Sequence, residues 1–169
     1  MKQFLRYFSV LPVLIMLLLI FGFSSQDGVT SDSLSFRVCC AILSFVDNIF
    51  SWSLSDQAFL SRAQSMQLFV RKTAHVTEYF LLTLSIFLPL RLLPVQKRPL
   101  HSLRDFLRSL LLPTCFLAVV CASLDEFHQS FVPGRCGTPL DVLVDSIGIL
   151  FGCIILIFCH RRIKNKCNK

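Results

Sequence analysis

A chain of 169 residues, 54% of them hydrophobic and 17 of them Phe, with a mean hydropathy of +0.66, is too apolar for a water-soluble domain. Its length leaves room for one small bundle of membrane spans and no second domain of useful size. The net charge of +7 comes with no nucleic-acid-binding motif, so no nucleic-acid partner is expected and the charge becomes a topology signal.

Four runs are long enough to cross a hydrocarbon core of about 30 Å, which takes roughly 20 helical residues. None alternates apolar and polar residues as barrel strands do. The expected fold is therefore all-α: a polytopic membrane protein with four transmembrane helices plus an amphipathic helix on the outer face, forming a single membrane domain over 1–169.

The first span, about 5–23, follows Lys2 and Arg6. Its apolar core is long and "FGFSSQ" is a poor small-residue cleavage site, so it reads as a retained span rather than a signal peptide. It ends on the outer side at Ser24, Ser25 and Gln26.

The next segment, about 34–54, is apolar but too short to span. Val38, Ile42, Phe45, Ile49 and Trp52 recur at helical spacing, with Arg37, Ser44, Asp47, Ser51 and Ser55 on the other face. This fits a helix lying on the outer leaflet. Equally, the apolar stripe fits a helix that covers the bundle.

The second span, about 73–93, opens with "RKTAHVTEYFLL". Arg71, His75 and Glu78 are spaced by four and three residues, which puts them on one helix face. Arg91, Lys97, Arg98, Arg104 and Arg108 lie between this span and the third, about 109–131, which ends in Asp125, Glu126 and Gln129. A Pro/Gly turn carrying Arg135 leads to the fourth span, about 140–159, where Asp141 and Asp145 share a face. Gly148 and Gly152 continue nearly that face as a small-xxx-small pair that permits close helix approach. Pro12, Pro89 and Pro113 are candidate kinks. The basic residues at the N-terminus, in the second-to-third connection and after the fourth span (Arg161, Arg162, Lys164, Lys166, Lys169) place both termini in the cytoplasm.

The eight cysteines match no zinc pattern and no disulfide framework. Cys39, Cys40 and Cys136 fall on the outer side and are able to oxidise, with no pairing specified. His101 and His128 need only surface or loop roles.

Once this topology is drawn, every polar intruder belongs to the outer end of its helix. An ionised side chain in lipid is expensive unless paired or wetted, so these groups must meet. They comprise three cations, Arg71, Lys72 and Arg135, and five carboxylates, Glu78, Asp125, Glu126, Asp141 and Asp145, with His75 able to titrate. So many acids imply shared protons, a bound cation or an acid/base pair. One reading has His75 and Glu78 ligating a metal with Asp125 or Asp141. Another has Glu78 and Asp125 relaying protons while Arg71 and Arg135 hold a phosphate or carboxylate. A third, structural reading is a network that only locks the helices, with Arg71 and Lys72 as interfacial anchors at a helix start and Asp141 as a helix cap.

The set "FSSQ", "RKTAHVTEYFLL", "DEFHQSFVPGR" and "DVLVDSIG" resembles the VanZ-like family of small bacterial membrane proteins, from Phe23 to Gly152. By that resemblance Ser24, Ser25, Gln26, Arg71, Lys72, His75, Glu78, Tyr79, Asp125, Glu126, Gln129, Phe131, Pro133, Gly134, Arg135, Asp141 and Gly148 occupy signature positions. Asp145 departs from the family's usual Asn and adds a carboxylate. The family is named for a protein that confers resistance to the glycopeptide teicoplanin. The resemblance implies a site in the bacterial cell membrane that faces outward, and it supplies no reaction.

Two functions follow as expectations. An enzyme would act on a lipid-linked envelope component, with His75, Glu78, Asp125 and Glu126 as the catalytic set. A binder would hold membrane lipids, a lipid-linked cell-wall precursor or a glycopeptide, contacted by Ser25, Gln26, Arg71, Lys72, Tyr79, Gln129, Arg135, Asp141 and Asp145. No metal or cofactor is assigned.

Overall fold

The computed structural model describes residues 2–92 and 102–167. Lys97, Arg98, His101, Lys169 and the side chains of Lys2 and Arg6, which belong to the charge pattern above, lie outside that description. The described residues are helical throughout, joined by short turns: α1 (Lys2–Ser24), α2 (Gly28–Phe50), α3 (Asp56–Leu92), α4 (Leu103–Phe106), a π-helical turn (Leu107–Leu111), α5 (Leu112–Gln129) and α6 (Pro139–Cys167). From α4 to α5 the chain runs as one rod, Leu103–Gln129. Five helices are long and apolar enough to cross a membrane, one more than the four expected.

The extra candidate is α2. It begins earlier than the expected amphipathic segment because Asp27 caps it, its side chain accepting from the Thr30 amide at 2.7 Å. The hydroxyl and amide of Thr30 hold the Asp27 carboxyl below its ordinary pKa, so acidification removes this cap. The helix stops at Ser51, which takes the left-handed conformation with φ 51°. Its packed face is Gly28, Ser31, Ser35, Cys39 and Leu43, at a spacing of three and then four residues. The stripe Val38, Ile42, Phe45, Ile49 and Trp52 is exposed. A covering helix that buries this stripe is therefore excluded: the small residues make the contact and the large ones are left for lipid or another apolar environment.

α3 is the longest element. Its 37 residues reach about 55 Å at 1.5 Å per residue, nearly twice the hydrocarbon thickness. No Gly or Pro interrupts residues 56–88, so the helix does not begin near 73, and Arg71 and Lys72 fall in its middle rather than at its start. Two separate apolar clusters divide it. The first half packs on α2, with Ala63, Phe59, Met66 and Val70 against Cys39 and Leu43. The order of these contacts, together with Asp32 against Arg71, makes α2 and the first half of α3 an antiparallel hairpin. The second half places Tyr79, Leu82 and Ile86 in the main core with Ile20, Ala118, Ala122 and Ile149, against α1, α5 and α6.

α1 and α3 run through Pro12 and Pro89 without a break. Pro113 follows a π turn instead: the Leu112 amide bonds to the Leu107 carbonyl, one residue beyond the α-helical partner, a shift that rearranges the bonding around a residue with no amide hydrogen. α6 extends past residue 159 and carries Arg161, Arg162, Lys164 and Lys166 on its last turns.

The two glycines of α6 have a definite partner. A Cβ on Gly148 would collide with the Val76 carbonyl of α3, and one on Gly152 would come within 2.9 Å of the Thr83 side chain. α6 is thereby seated directly against the stretch of α3 that carries His75, Glu78 and Tyr79. Gly148→Val is expected to lower the unfolding midpoint in detergent, at an overpacking cost of about 1–3 kcal/mol. Gly22→Val, where a Cβ would meet nothing within 4 Å, should leave it nearly unchanged.

Candidate functional site

The last turn of α5 supplies the most deeply buried acid. Asp125 is fully buried, and Glu126 and Gln129 nearly so. Asp125 and Gln129 are one turn apart on the same face, where α1 ends. Asp125 Oδ2 accepts from Ser24 Oγ at 2.9 Å and from Gln129 Nε2 at 3.0 Å. Gln129 Nε2 is also 3.1 Å from Glu126 Oε1 and 3.2 Å from Ser24 Oγ, so two amide hydrogens are shared among three acceptors.

Arg135 closes this network from the loop between α5 and α6. It donates to Gln129 Oε1 at 3.2 Å and to the Phe23 carbonyl at 2.9 Å. The loop returns over the end of α1 because Gly134 takes φ +73°, a conformation that disfavours a Cβ, and its carbonyl lies so close to Gly28 that Gly28 has no room for one. The Gly28 amide donates to the Pro133 carbonyl at 3.0 Å. Burial, then the nearby Arg71 guanidinium, hold Arg135 below its ordinary pKa, while Asp125, Glu126 and Asp32 oppose them.

The facing wall comes from α3 and α6. Thr138 precedes Pro139 at the start of α6, the sequence pattern of an N-cap followed by proline. Its hydroxyl donates to Asp141 Oδ2 at 2.9 Å and its amide to Glu126 Oε2 at 3.2 Å. Lys72 forms an ion pair with Asp141. One turn further along, Asp145 is only 2% exposed. His75 Nδ1 lies 3.8 Å from both Asp145 Oδ1 and Glu78 Oε2, too far for a hydrogen bond. Arg71 reaches outward to Asp32 at 2.8 Å.

Three residues of this cluster carry a buried polar atom with no hydrogen-bond partner in the protein: His75 Nδ1, Asp145 Oδ2 and Arg135 Nε. Left dry, each such orphan costs about 1–3 kcal/mol. All three residues line a cavity of about 250 Å³ whose wall includes Arg71, Lys72, His75, Glu126, Gln129, Arg135, Asp141 and Asp145. Water or the polar groups of a ligand are needed to satisfy them.

The sequence-derived set thus divides in a definite way. Those eight residues line one space. Asp125 and Tyr79 lie behind it, Asp125 tied to it through Gln129. Gln26 and Glu78 line an adjoining cavity of about 190 Å³ that shares Arg71, His75 and Arg135 with the first. Ser25 is the exception: its hydroxyl donates back to the Phe21 carbonyl at 2.6 Å and is exposed. A helix turns about 100° per residue, and Ser24 takes the inward place.

The expected metal set is not assembled. Among the described residues, no group of three or more His, Cys, Asp or Glu side chains is placed to hold an ion, and Asp141 is engaged by Lys72 and Thr138. Cys39, Cys40 and Cys136 are free thiols. The His128 ring packs edge-on against Phe21, centroids 6.0 Å apart, in keeping with a structural role. Two participants were missed from the sequence: Asp32, the partner of Arg71, and Thr138. Asp32 carries no local signal, whereas the Thr-Pro-x-Asp spacing at 138–141 was a readable cap.

The family model described as VanZ/LLP1 matches residues 8–160, a range that contains every residue of this cluster. No curated protein and no solved structure matches the chain.

Gln129 holds Asp125, Glu126 and Arg135 at once, so Gln129→Ala removes a bond from each and leaves Glu126 Oε1 and Arg135 Nη1 without the partner they have here. The variant is expected to lose about 1–3 kcal/mol, measured as a lower unfolding midpoint in detergent. Ser25→Ala should be neutral.

Proposed function

The chain belongs to the VanZ/LLP1 family, and from that premise we propose that it is a bacterial cell-membrane protein that binds the polar head of an envelope lipid or lipid-linked cell-wall precursor between α3, α5 and α6. The observation that carries this reading is the polar cavity lined by three residues, His75, Asp145 and Arg135, that each carry an orphaned buried atom. Its wall carries both signs of charge. Of its cations, Arg71 and Arg135 are not committed to a buried carboxylate: Arg71 pairs with the exposed Asp32 and Arg135 bonds to neutral oxygens. Glu126 and Asp145 are the carboxylates not held by Lys72. An anionic group such as a phosphate suits the guanidiniums, while hydroxyls or an amine on the same head suit the carboxylates, which accept only.

In the topology that goes with this reading, α1, the second half of α3, the Leu103–Gln129 rod and α6 cross the membrane. The hairpin of α2 with the first half of α3 lies at the outer face, its exposed stripe in the outer leaflet. The basic ends of α3 and α6, with Arg104 and Arg108, set both termini in the cytoplasm and the cavity outward. Holding a lipid-linked precursor or a lipid-tailed glycopeptide there would alter susceptibility to teicoplanin-like drugs by changing what the drug meets at the membrane surface.

Binding is favoured over turnover because no histidine–carboxylate pair is hydrogen-bonded in the cluster, the nearest approaches being 3.8 Å. The competing structural reading, a cluster that only locks the bundle, makes the opposite forecast for ligand capture. Native mass spectrometry of the protein released from discs of the host's own lipids should show an anionic lipid on the wild type and, after the loss of charge-assisted bonds, about tenfold less on Arg135→Gln. Equal lipid on both would favour locking. A new product that Glu78→Gln or Asp125→Asn abolishes would restore the enzyme. A reporter fused after Lys169 should be active only where it reports the cytoplasm, and activity on the other side would invert the topology.

A further inference from the structure

The polar cavity is one of three spaces joined by shared walls. Through Arg71, His75 and Arg135 it adjoins the cavity of about 190 Å³, whose remaining wall is largely apolar and includes Phe23, Leu34, Val38 and Val70. That cavity in turn shares Val70, Ala74 and Glu78 with a groove of about 520 Å³ between α2 and α3. The groove follows one face of α3, Met66, Phe69 or Val70, Thr73, Thr77 and Leu81, with Ile42 of α2 opposite. Polarity falls along this route, from Arg71, Lys72, His75, Glu126, Arg135, Asp141 and Asp145 at one end to a wall at the other in which Glu78, at the passage, is the charged residue among mostly apolar neighbours. Even its two threonines are apolar toward the groove, since Thr73 and Thr77 donate their hydroxyls at 2.8 Å to the carbonyls of Phe69 and Thr73.

The direction of the groove identifies what fits it. From residue 69 to residue 81 it runs about 18 Å along the helix axis, and the second half of α3 is the part packed into the spanning core. An occupant therefore lies along the helix, as a lipid tail lies along the bilayer normal, with its upper end at Arg71 and Arg135. Resting on the headgroup reading above, we propose that the groove between α2 and α3 is the tail site of the same ligand, a lipid that carries a phosphate-type head on a single hydrocarbon chain. The neck crosses beneath Leu34 and Val38 in the middle cavity. Among the described residues this groove continues from that cavity, and it is assigned one chain. The exposed apolar space between α5 and α6, lined by Phe127, Pro139 and Val142, touches the polar cavity only through Glu126 and offers no guanidinium at its mouth.

The test uses an alkyl phosphate of about sixteen carbons with a diazirine at mid-chain, incorporated into lipid discs that hold the full chain. After irradiation, labelled residues are mapped by peptide mass spectrometry, and retention of the unreacted probe is measured in parallel by native mass spectrometry. The expected result is labelling concentrated on residues 69–81 and Ile42, reduced about tenfold by Ala74→Phe, which fills the passage between cavity and groove at an exposed position, an effect equal to losing roughly two buried methylenes. Thr77→Phe, lower in the groove, should reduce it too. Retention should fall with Arg135→Gln. Labelling on Phe127 and Val142, or spread evenly over the lipid-facing helices, would overturn the tail site while leaving head binding intact. Equal displacement of the probe by a two-chain phosphatidic acid would overturn the single-chain assignment. Retention indifferent to Arg135→Gln would instead count against the headgroup reading itself.

Discussion

The structure depends on a constraint that lipid imposes: a carboxylate or guanidinium removed from water has to be met by an opposite charge, a hydrogen bond or trapped water. Five carboxylates and three cations in this chain occupy helix ends, the middle of α3 or the loop after α5, and most of them are met within the assembled helices. Asp125 is met by Ser24 and Gln129, Glu126 by Gln129 and Thr138, Asp141 by Lys72 and Thr138, and Arg135 by Gln129 and the end of α1. The bonds link α1 to α5, α5 to the following loop, and α3 to α6. The polar cluster therefore does what an apolar core cannot do in a membrane, where burying hydrocarbon among helices gains little over burying it in lipid.

Close packing on one side makes the opening on the other. Gly148 and Gly152 draw α6 onto α3 at Val76 and Thr83, fixing Asp145 opposite His75. A turn higher α6 meets α3 through the Lys72–Asp141 ion pair, beside which the walls separate into the cavity. The unmatched atoms His75 Nδ1, Asp145 Oδ2 and Arg135 Nε belong to residues that line that space. A network built only to lock helices would leave no such atoms without a protein partner.

Much of this was legible in the chain itself. Span existence follows from hydropathy, and the convergence of Arg71, His75, Asp125, Gln129, Arg135, Asp141 and Asp145 follows from placing polar residues at the same end of antiparallel helices. The limits of α2 and α3 were not legible in the same way. Hydropathy marks where lipid begins, not where a helix begins, so the uninterrupted run from residue 56 to 92 was read only over its apolar half. The stripe on α2 was seen correctly as apolar, but periodicity cannot say which face a neighbour takes, and the contact went to Ser31, Ser35 and Cys39. Ser24 and Ser25 differ by one residue, about 100° around the helix, finer than any pattern resolves.

The central claim is that these buried charges enclose a space occupied by something other than protein. A cryo-electron microscopy map of the chain in lipid discs tests it most directly. The account predicts density that is not protein, bounded by Arg71, Arg135, Glu126 and Asp145 just below the outer membrane boundary. Side chains that close over that volume and bond to one another, or an Arg71 and Arg135 separated and turned into the acyl region, would contradict it.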